Sequence, residues 1–134
     1  MRKETIFIWL FRIALAGLYL MMSLPKFSGQ DITIHIFSTL GVEPWGRIAT
    51  GVIEFIIFLL VLLPKTTVYG AILSLGTIIV AIFLHFTVLG LVVENASGSI
   101  TDGGQIFMTA LIILALTLIN LFIHRKSIPI IGKQ

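Results

Sequence analysis

No cysteine occurs among the 134 residues, and only 11% of them carry charge. The first absence excludes disulfides, Fe–S clusters, thiolate metal sites and dithiol redox chemistry, while leaving the compartment open. Any redox role must then use a borrowed cofactor or a partner. The second absence is equally informative, because a soluble domain carries about 25% charged and about 45–50% apolar residues. Here 57% of residues are hydrophobic and the mean hydropathy is +1.11. Such a chain reads as an integral membrane protein, bounded by lipid rather than water. Basic runs long enough to hold a nucleic acid are also lacking, so the net charge of +3 is read as a membrane rim.

What is present is four apolar runs, Thr5–Leu24, Gly46–Leu63, Thr67–Val92 and Gly104–Ile123, each close to the about 20 residues that cross a bilayer. At this length four spans are the ceiling, in a single domain over residues 1–134. A transmembrane barrel would need shorter, alternating segments, and Ile56 to Leu63 show no alternation. The expected fold is therefore all-α, a four-transmembrane-helix bundle. Pro25 is expected to end span one, Pro44 to open span two and Pro64 to close it, while Thr101 and Asp102 offer an N-cap for span four. Within the first loop, Ser28, Gly29 and Asp31 could start a short interfacial helix carrying Ile32, Ile36, Phe37 and Leu40. Trp45 falls where an aromatic belt is expected.

Basic residues of short loops mark the cytoplasmic side. Arg2, Lys3, Lys65, Arg125, Lys126 and Lys133 share one side; the other holds Lys26 and Arg47 against Asp31, Glu43, Glu94 and Asp102. Both termini are thus expected inside, with the long first loop outside. Span one is not expected to be a cleavable signal peptide, since it contains Arg12 and is followed by Pro25-Lys26.

Arg12, Glu54 and His85 are the residues that lipid should exclude, each costly unless paired or facing the bundle interior. At 100° per residue, Arg12, Ala16, Tyr19, Ser23 and Lys26 fall within about 80° on span one. Arg47, Gly51, Glu54 and Phe58 do the same on span two. Gly70, Ser74, Thr77, Ala81 and His85 align on span three, and Gln105, Thr109 and Asn120 on span four. These small or polar stripes should converge on the bundle axis.

Counting 1.5 Å per residue from the cytoplasmic span ends puts Arg12 at about 10 Å and Glu54 at about 15 Å. An ion pair between Arg12 and Glu54 is the expectation. On the same count His85 lies at about 27 Å and Lys26 at about 31 Å. These two, with Tyr19, Ser23, Gln105 and either Glu43 or Glu94, are expected to line an outward-opening ligand pocket. Plainer roles compete: an internal clamp for Arg12 and Glu54, a backbone-bonded histidine for His85, a snorkelling anchor for Lys26 and simple packing for Tyr19. The histidines are too scattered for haem or zinc ligation, so no metal site and no covalent cofactor is expected. Asn95-Ala96-Ser97 matches a glycosylation pattern too short to carry weight, and Gly103-Gly104 is too little for a phosphate loop.

Arg12 in span one, Lys26 and Gly29 just after it, Gly51-Val52-Ile53-Glu54 in span two, Pro64 closing that span and His85 in span three together resemble the DoxX family of small four-span membrane proteins. The resemblance covers nearly the whole chain. It implies a four-helix bundle in the bacterial inner membrane and points to membrane oxidoreductase complexes, because the founding member is a subunit of a thiosulfate:quinone oxidoreductase. Distant relatives serve as chaperone-like and cargo-receptor proteins, and fold alone does not settle function. Two readings follow. In one, the chain is a quinone- or isoprenoid-binding subunit, with His85 and Lys26 on the carbonyl oxygens, Tyr19 or Phe86 beside the ring, and electrons from a redox partner subunit. In the other, it is a non-enzymatic membrane protein that binds lipid, forms a homo-oligomer, or escorts or anchors a partner membrane protein. A small exporter is a weaker third reading, since a charge clamp in mid-bundle leaves no evident path.

Overall fold

The computed structural model describes residues 3–95 and 97–127. Arg2 and Lys133, counted above in the charge asymmetry, lie outside the described residues, as does Ala96 of the Asn95-Ala96-Ser97 pattern. The described chain is helical: α1 (Lys3–Ser28), α2 (Asp31–Thr39), α3 (Trp45–Leu62), α4 (Thr67–Leu84), a π-turn (His85–Leu89), α5 (Gln105–Ile123) and a 3₁₀ turn (Arg125–Ser127). Four segments are long and apolar enough to cross a membrane: α1, α3, α4 continued through the π-turn to Leu89, and α5. They form the expected bundle. Helix α1 packs mainly on α3, α3 on α4, α4 on α5, and α5 back on α1, closing a ring. Four passes bring the N-terminus of α1, the 63–66 turn and the C-terminus of α5 to one end, here called the terminal end. The loop end, opposite, holds α2 and the 90–104 loop.

The inside of this ring is built from Leu15 and Tyr19 of α1, Ile57 and Val61 of α3, Ile78 of α4 and Ile113 of α5. Leu10, Met21, Val52, Ile79, Phe83, Ile112 and Phe122 point outward and stay exposed. In water such a surface would drive aggregation; in a bilayer it is solvated by acyl chains, so the helices are apolar on both faces. Close approach is made by small residues, as helix packing in lipid requires. At Gly70 a Cβ would lie 2.7 Å from Val61 Cγ2 and 2.8 Å from the Val61 amide nitrogen. Beside it the short 63–66 turn satisfies the free carbonyls of the α3 terminus through hydroxyls: Thr66 Oγ1 donates to Leu60 O (2.8 Å) and Thr67 Oγ1 to Val61 O (3.0 Å).

Pro25 does not end the first span. The helix runs through it to Ser28 and stops at Gly29, whose φ of 72° only glycine adopts freely. Proline lacks one N–H, so near a helix end it forfeits a single backbone bond to Met21 O; its own carbonyl still accepts from Gly29 N (3.0 Å) and Gln30 N (3.1 Å). The third span likewise differs at its end. Regular helix stops at Leu84 and widens into the π-turn, which Gly90 (φ 80°) terminates before Val92.

The short helix of the first loop is present, and its apolar face packs on protein. Ile36 and Phe37 form a second small core with Val93, with Ile32, Leu40, Val42, Leu89 and Ile106 packed against it. His35 Nε2 lies 3.1 Å from Glu94 O, tying α2 to the 90–104 loop. Asp102 then organises the entry to α5. Its Oδ1 accepts from Val93 N (2.9 Å) and Gly104 N (2.8 Å), and its Oδ2 from Ile106 N (3.1 Å). Helix α2 therefore closes the loop end of the bundle.

Candidate functional site

The polar stripes of α1, α3 and α4 converge on the axis, in layers that differ from those expected by counting. Of Gln105, Thr109 and Asn120 on α5 only Asn120 is buried, Gln105 being exposed and Thr109 bonding back to Gln105 O. Nearest the loop end, Lys26 Nζ lies 2.7 Å from Glu54 Oε1, with side-chain exposures of 15% and 8%. The expected Arg12–Glu54 ion pair is not formed; Lys26 is the partner of Glu54. Two local facts explain the exchange. Helical side chains lean toward the N-terminus of their own helix, and α1 and α3 are antiparallel, so Lys26 leans inward while Glu54 leans outward and the two meet. Gly51, one turn before Glu54, lets α1 come close: a Cβ there would lie 3.2 Å from Lys26 Cβ. The ammonium also donates to Met22 O (3.2 Å), one turn back along α1.

The estimate failed because it set the inner ends of all spans level. Helix α1 has 26 residues and α3 has 18. With Gly51 opposite Lys26, Arg12 lies about 21 Å down α1 from Lys26, whereas Glu54 is only about 5 Å down α3 from Gly51. That leaves about 16 Å between Arg12 and Glu54 along the bundle axis. No guanidinium spans such a gap.

Above the Lys26–Glu54 pair, Arg47 is held by Glu43, with Nε donating to Oε1 (2.8 Å) and Oε2 (3.0 Å). Its Nη1 donates to the carbonyl of Lys26, one of the free carbonyls in the last turn of α1. Both basic residues of the loop end are thus neutralised by carboxylates of α3 or the loop before it.

The middle layer is uncharged. Tyr19 OH is 2.6 Å from Ser74 Oγ and 3.2 Å from Thr77 Oγ1, and Ser74 Oγ is 2.7 Å from Thr117 Oγ1. Tyr19, Ser74 and Thr117 are buried, so three helices, α1, α4 and α5, are joined by a run of hydroxyls. Thr117 was missed by the sequence reading, although it sits three residues before Asn120 on the same face. Ser23, one turn from Tyr19, returns its hydroxyl to Leu20 O (2.9 Å) and contributes only a bond within α1.

The third layer is at the terminal end. Arg12 Nη2 is 3.3 Å from His124 Nε2, and its guanidinium lies 4.4 Å from the centre of the Trp9 ring. His124 Nδ1 donates to Asn120 O (2.9 Å), which leaves Nε2 as the acceptor for Arg12. Asn120 Nδ2 donates to Phe11 O (3.2 Å) and Leu116 O (2.8 Å), fastening α5 to α1. Neither Trp9 nor His124 was singled out from the sequence. Trp9 flanks Arg12 as its neighbour three residues back on α1, whereas His124 reaches it only because α5 ends beside the start of α1.

The expected outer pocket is not assembled from its residues. Tyr19 and Ser23 are turned into the core, Lys26 is held by Glu54, and Gln105 is exposed at the start of α5. His85 is buried elsewhere, donating from Nδ1 to Gly90 O (2.9 Å) and packing edge-on to Phe107 with ring centres 5.3 Å apart. That bond closes the π-turn. Glu43 serves Arg47, and Glu94 is exposed in the outer loop. Instead, two grooves open along α1 toward the lipid. One, of about 620 Å³ near the loop end, is lined by Met21, Leu24, Pro25, Phe27, Ser28 and Gln30. The other, of about 390 Å³ near the terminal end, is lined by Ile6, Trp9, Leu10 and Ile13. Among the described residues no three His, Cys, Asp or Glu side chains gather as metal ligands. Neither a family model, nor a curated protein, nor a solved structure matches the chain.

Proposed function

We propose that this chain is a DoxX-like protein of the bacterial inner membrane, acting as a non-catalytic subunit that takes up an isoprenoid of the quinone class from the bilayer. The observation that carries this reading is the loop-end groove on α1, since the core is filled by residues engaged with one another. The groove is apolar along Met21, Leu24, Pro25 and Phe27, with Ser28 and Gln30 as its polar residues. Ligand sites combine an apolar lining with a few polar groups that fix orientation in this way. An isoprenoid tail would lie along α1, with the Gln30 amide as donor to a headgroup carbonyl. The chain holds no group able to supply electrons, so a redox partner subunit must do so.

A second reading, a non-enzymatic anchor for another membrane protein, is favoured by the helix-to-helix contacts of the polar layers, Lys26 to Glu54, Tyr19 to Ser74 to Thr117, and Asn120 to Phe11 O. A bundle pinned at both ends and in its middle is a rigid post. Mass spectrometry of organic extracts from protein purified in mild detergent separates the two. The proposal expects a near-stoichiometric prenylquinone that is lost in Leu24→Trp, which fills the groove, and retained in Ile112→Trp, on the lipid face of α5. No retained isoprenoid, with a co-purifying membrane protein, would support the anchor reading and reject the first.

A further inference from the structure

Arg12 is 5% exposed, yet no carboxylate lies within 4 Å of it among the described residues. Its Nε is buried and without a partner among the described residues. The chain has only six acidic side chains, and none is free to approach. Glu54 holds Lys26 and Glu43 holds Arg47, while Asp102 caps α5. Asp31 and Glu94 belong to the loop end. Glu4, exposed at the start of α1, is more than two helical turns from Arg12. A buried guanidinium at the edge of a membrane demands an anion, because leaving it uncompensated is strongly unfavourable. His124 supplies a neutral acceptor to one Nη atom and nothing to Nε.

Beside this cation runs the terminal-end groove, and Trp9 belongs to both. Its ring carries the guanidinium on one side and lines the groove with Ile6, Leu10 and Ile13. A cationic head next to a lipid-open apolar furrow is complementary to an amphiphile with an anionic head and an acyl chain. Lys3, Arg125 and Lys126, exposed at the same end, add positive potential around the opening.

We infer that Arg12, flanked by His124 and Trp9, binds the phosphate of an anionic phospholipid whose acyl chain lies along Ile6, Leu10 and Ile13. Arginine suits this role because its planar fork gives paired, charge-assisted bonds to phosphate oxygens. The occupant meets the donor that the described residues leave unmet. This site lies at the opposite end of α1 from the isoprenoid groove and rests on different observations, so either can fail alone.

Native mass spectrometry of the detergent-purified chain, titrated with dioleoyl phosphatidylglycerol and with dioleoylglycerol, tests the inference. The phosphate-bearing lipid should bind about tenfold more tightly than dioleoylglycerol. Arg12→Gln should abolish that preference, and Arg12→Lys, which keeps the charge but not the paired bonds, should restore only part of it. Leu10→Trp fills the furrow at an exposed position and leaves Arg12 in place; it should weaken the phospholipid without changing the melting temperature. Equal binding of the two lipids, an unchanged preference in Arg12→Gln, or undiminished phospholipid binding in Leu10→Trp would overturn the proposal. Inorganic phosphate is the second arm: if millimolar phosphate alone saturates Arg12 and displaces the lipid completely, the site serves a soluble anion and the lipid assignment is wrong.

Discussion

Lys26 inverts the habit of its residue type. A lysine near a helix end in a membrane extends its ammonium toward water, but here the side chain turns back along α1 to Glu54 and Met22 O. Removing one partner leaves the other charge buried and alone, so Glu54→Gln or Lys26→Met should each cost about 3–5 kcal/mol in equilibrium unfolding in mixed micelles. The double variant Lys26→Met, Glu54→Leu should recover most of that loss, since an apolar pair of similar size has no charge to desolvate. Arg12 provides the contrast. A double-mutant cycle between Arg12→Gln and Glu54→Gln should be additive to within about 0.5 kcal/mol, as expected for sites far apart without shared partners. Strong coupling between Arg12 and Glu54, with none between Lys26 and Glu54, would contradict the geometry.

Among the elements, α3 and α4 depend on Gly70, where the Val61 backbone and side chain leave no space for a Cβ. Gly70→Ala should therefore cost about 1–3 kcal/mol through overpacking. Gly76, with open space around its Cα on the same helix, should tolerate alanine with no loss. Chemical denaturation of the two variants side by side measures the difference. In the hydroxyl layer, Tyr19→Phe deprives Ser74 and Thr77 of their shared partner, and a loss of about 1 kcal/mol is expected, because interhelical hydrogen bonds in membranes are individually modest.

Element by element, hydropathy made the four spans legible, and helical periodicity correctly turned Arg12, Tyr19, Glu54, Ser74, His85 and Asn120 inward. Depth was not legible. Periodicity fixes the angle of a side chain around its own helix but carries no information on how far neighbouring helices slide past each other. The glycine contact at Gly51 sets that slide, and with it the choice of Lys26 over Arg12. Pro25 and His85 misled for a related reason: each serves a helix end whose position depends on Gly29 or Gly90 rather than on itself.

For the molecule as a whole, orientation rests on the asymmetry of lysine and arginine between the two ends. At the loop end Lys26 and Arg47 are both neutralised, so Asp31, Glu94 and Asp102 leave that end negative. At the terminal end Lys3, Lys65, Arg125 and Lys126 stand against Glu4 alone among the described residues. Positive charge is retained on the cytoplasmic side during insertion, so the 63–66 turn is expected inside and α2 outside. The chain's lack of cysteine makes this directly measurable, because a single introduced thiol is the only one present. Ser97→Cys, in the exposed outer loop, should react with a membrane-impermeant maleimide in intact cells. Lys65→Cys, in the exposed turn at the other end, should react only after the membrane is opened. The reverse pattern would invert the molecule. It would then place the proposed Arg12 phosphate site in the outer leaflet and the proposed isoprenoid groove in the inner one, so this pair of thiols also decides which leaflet would supply each amphiphile.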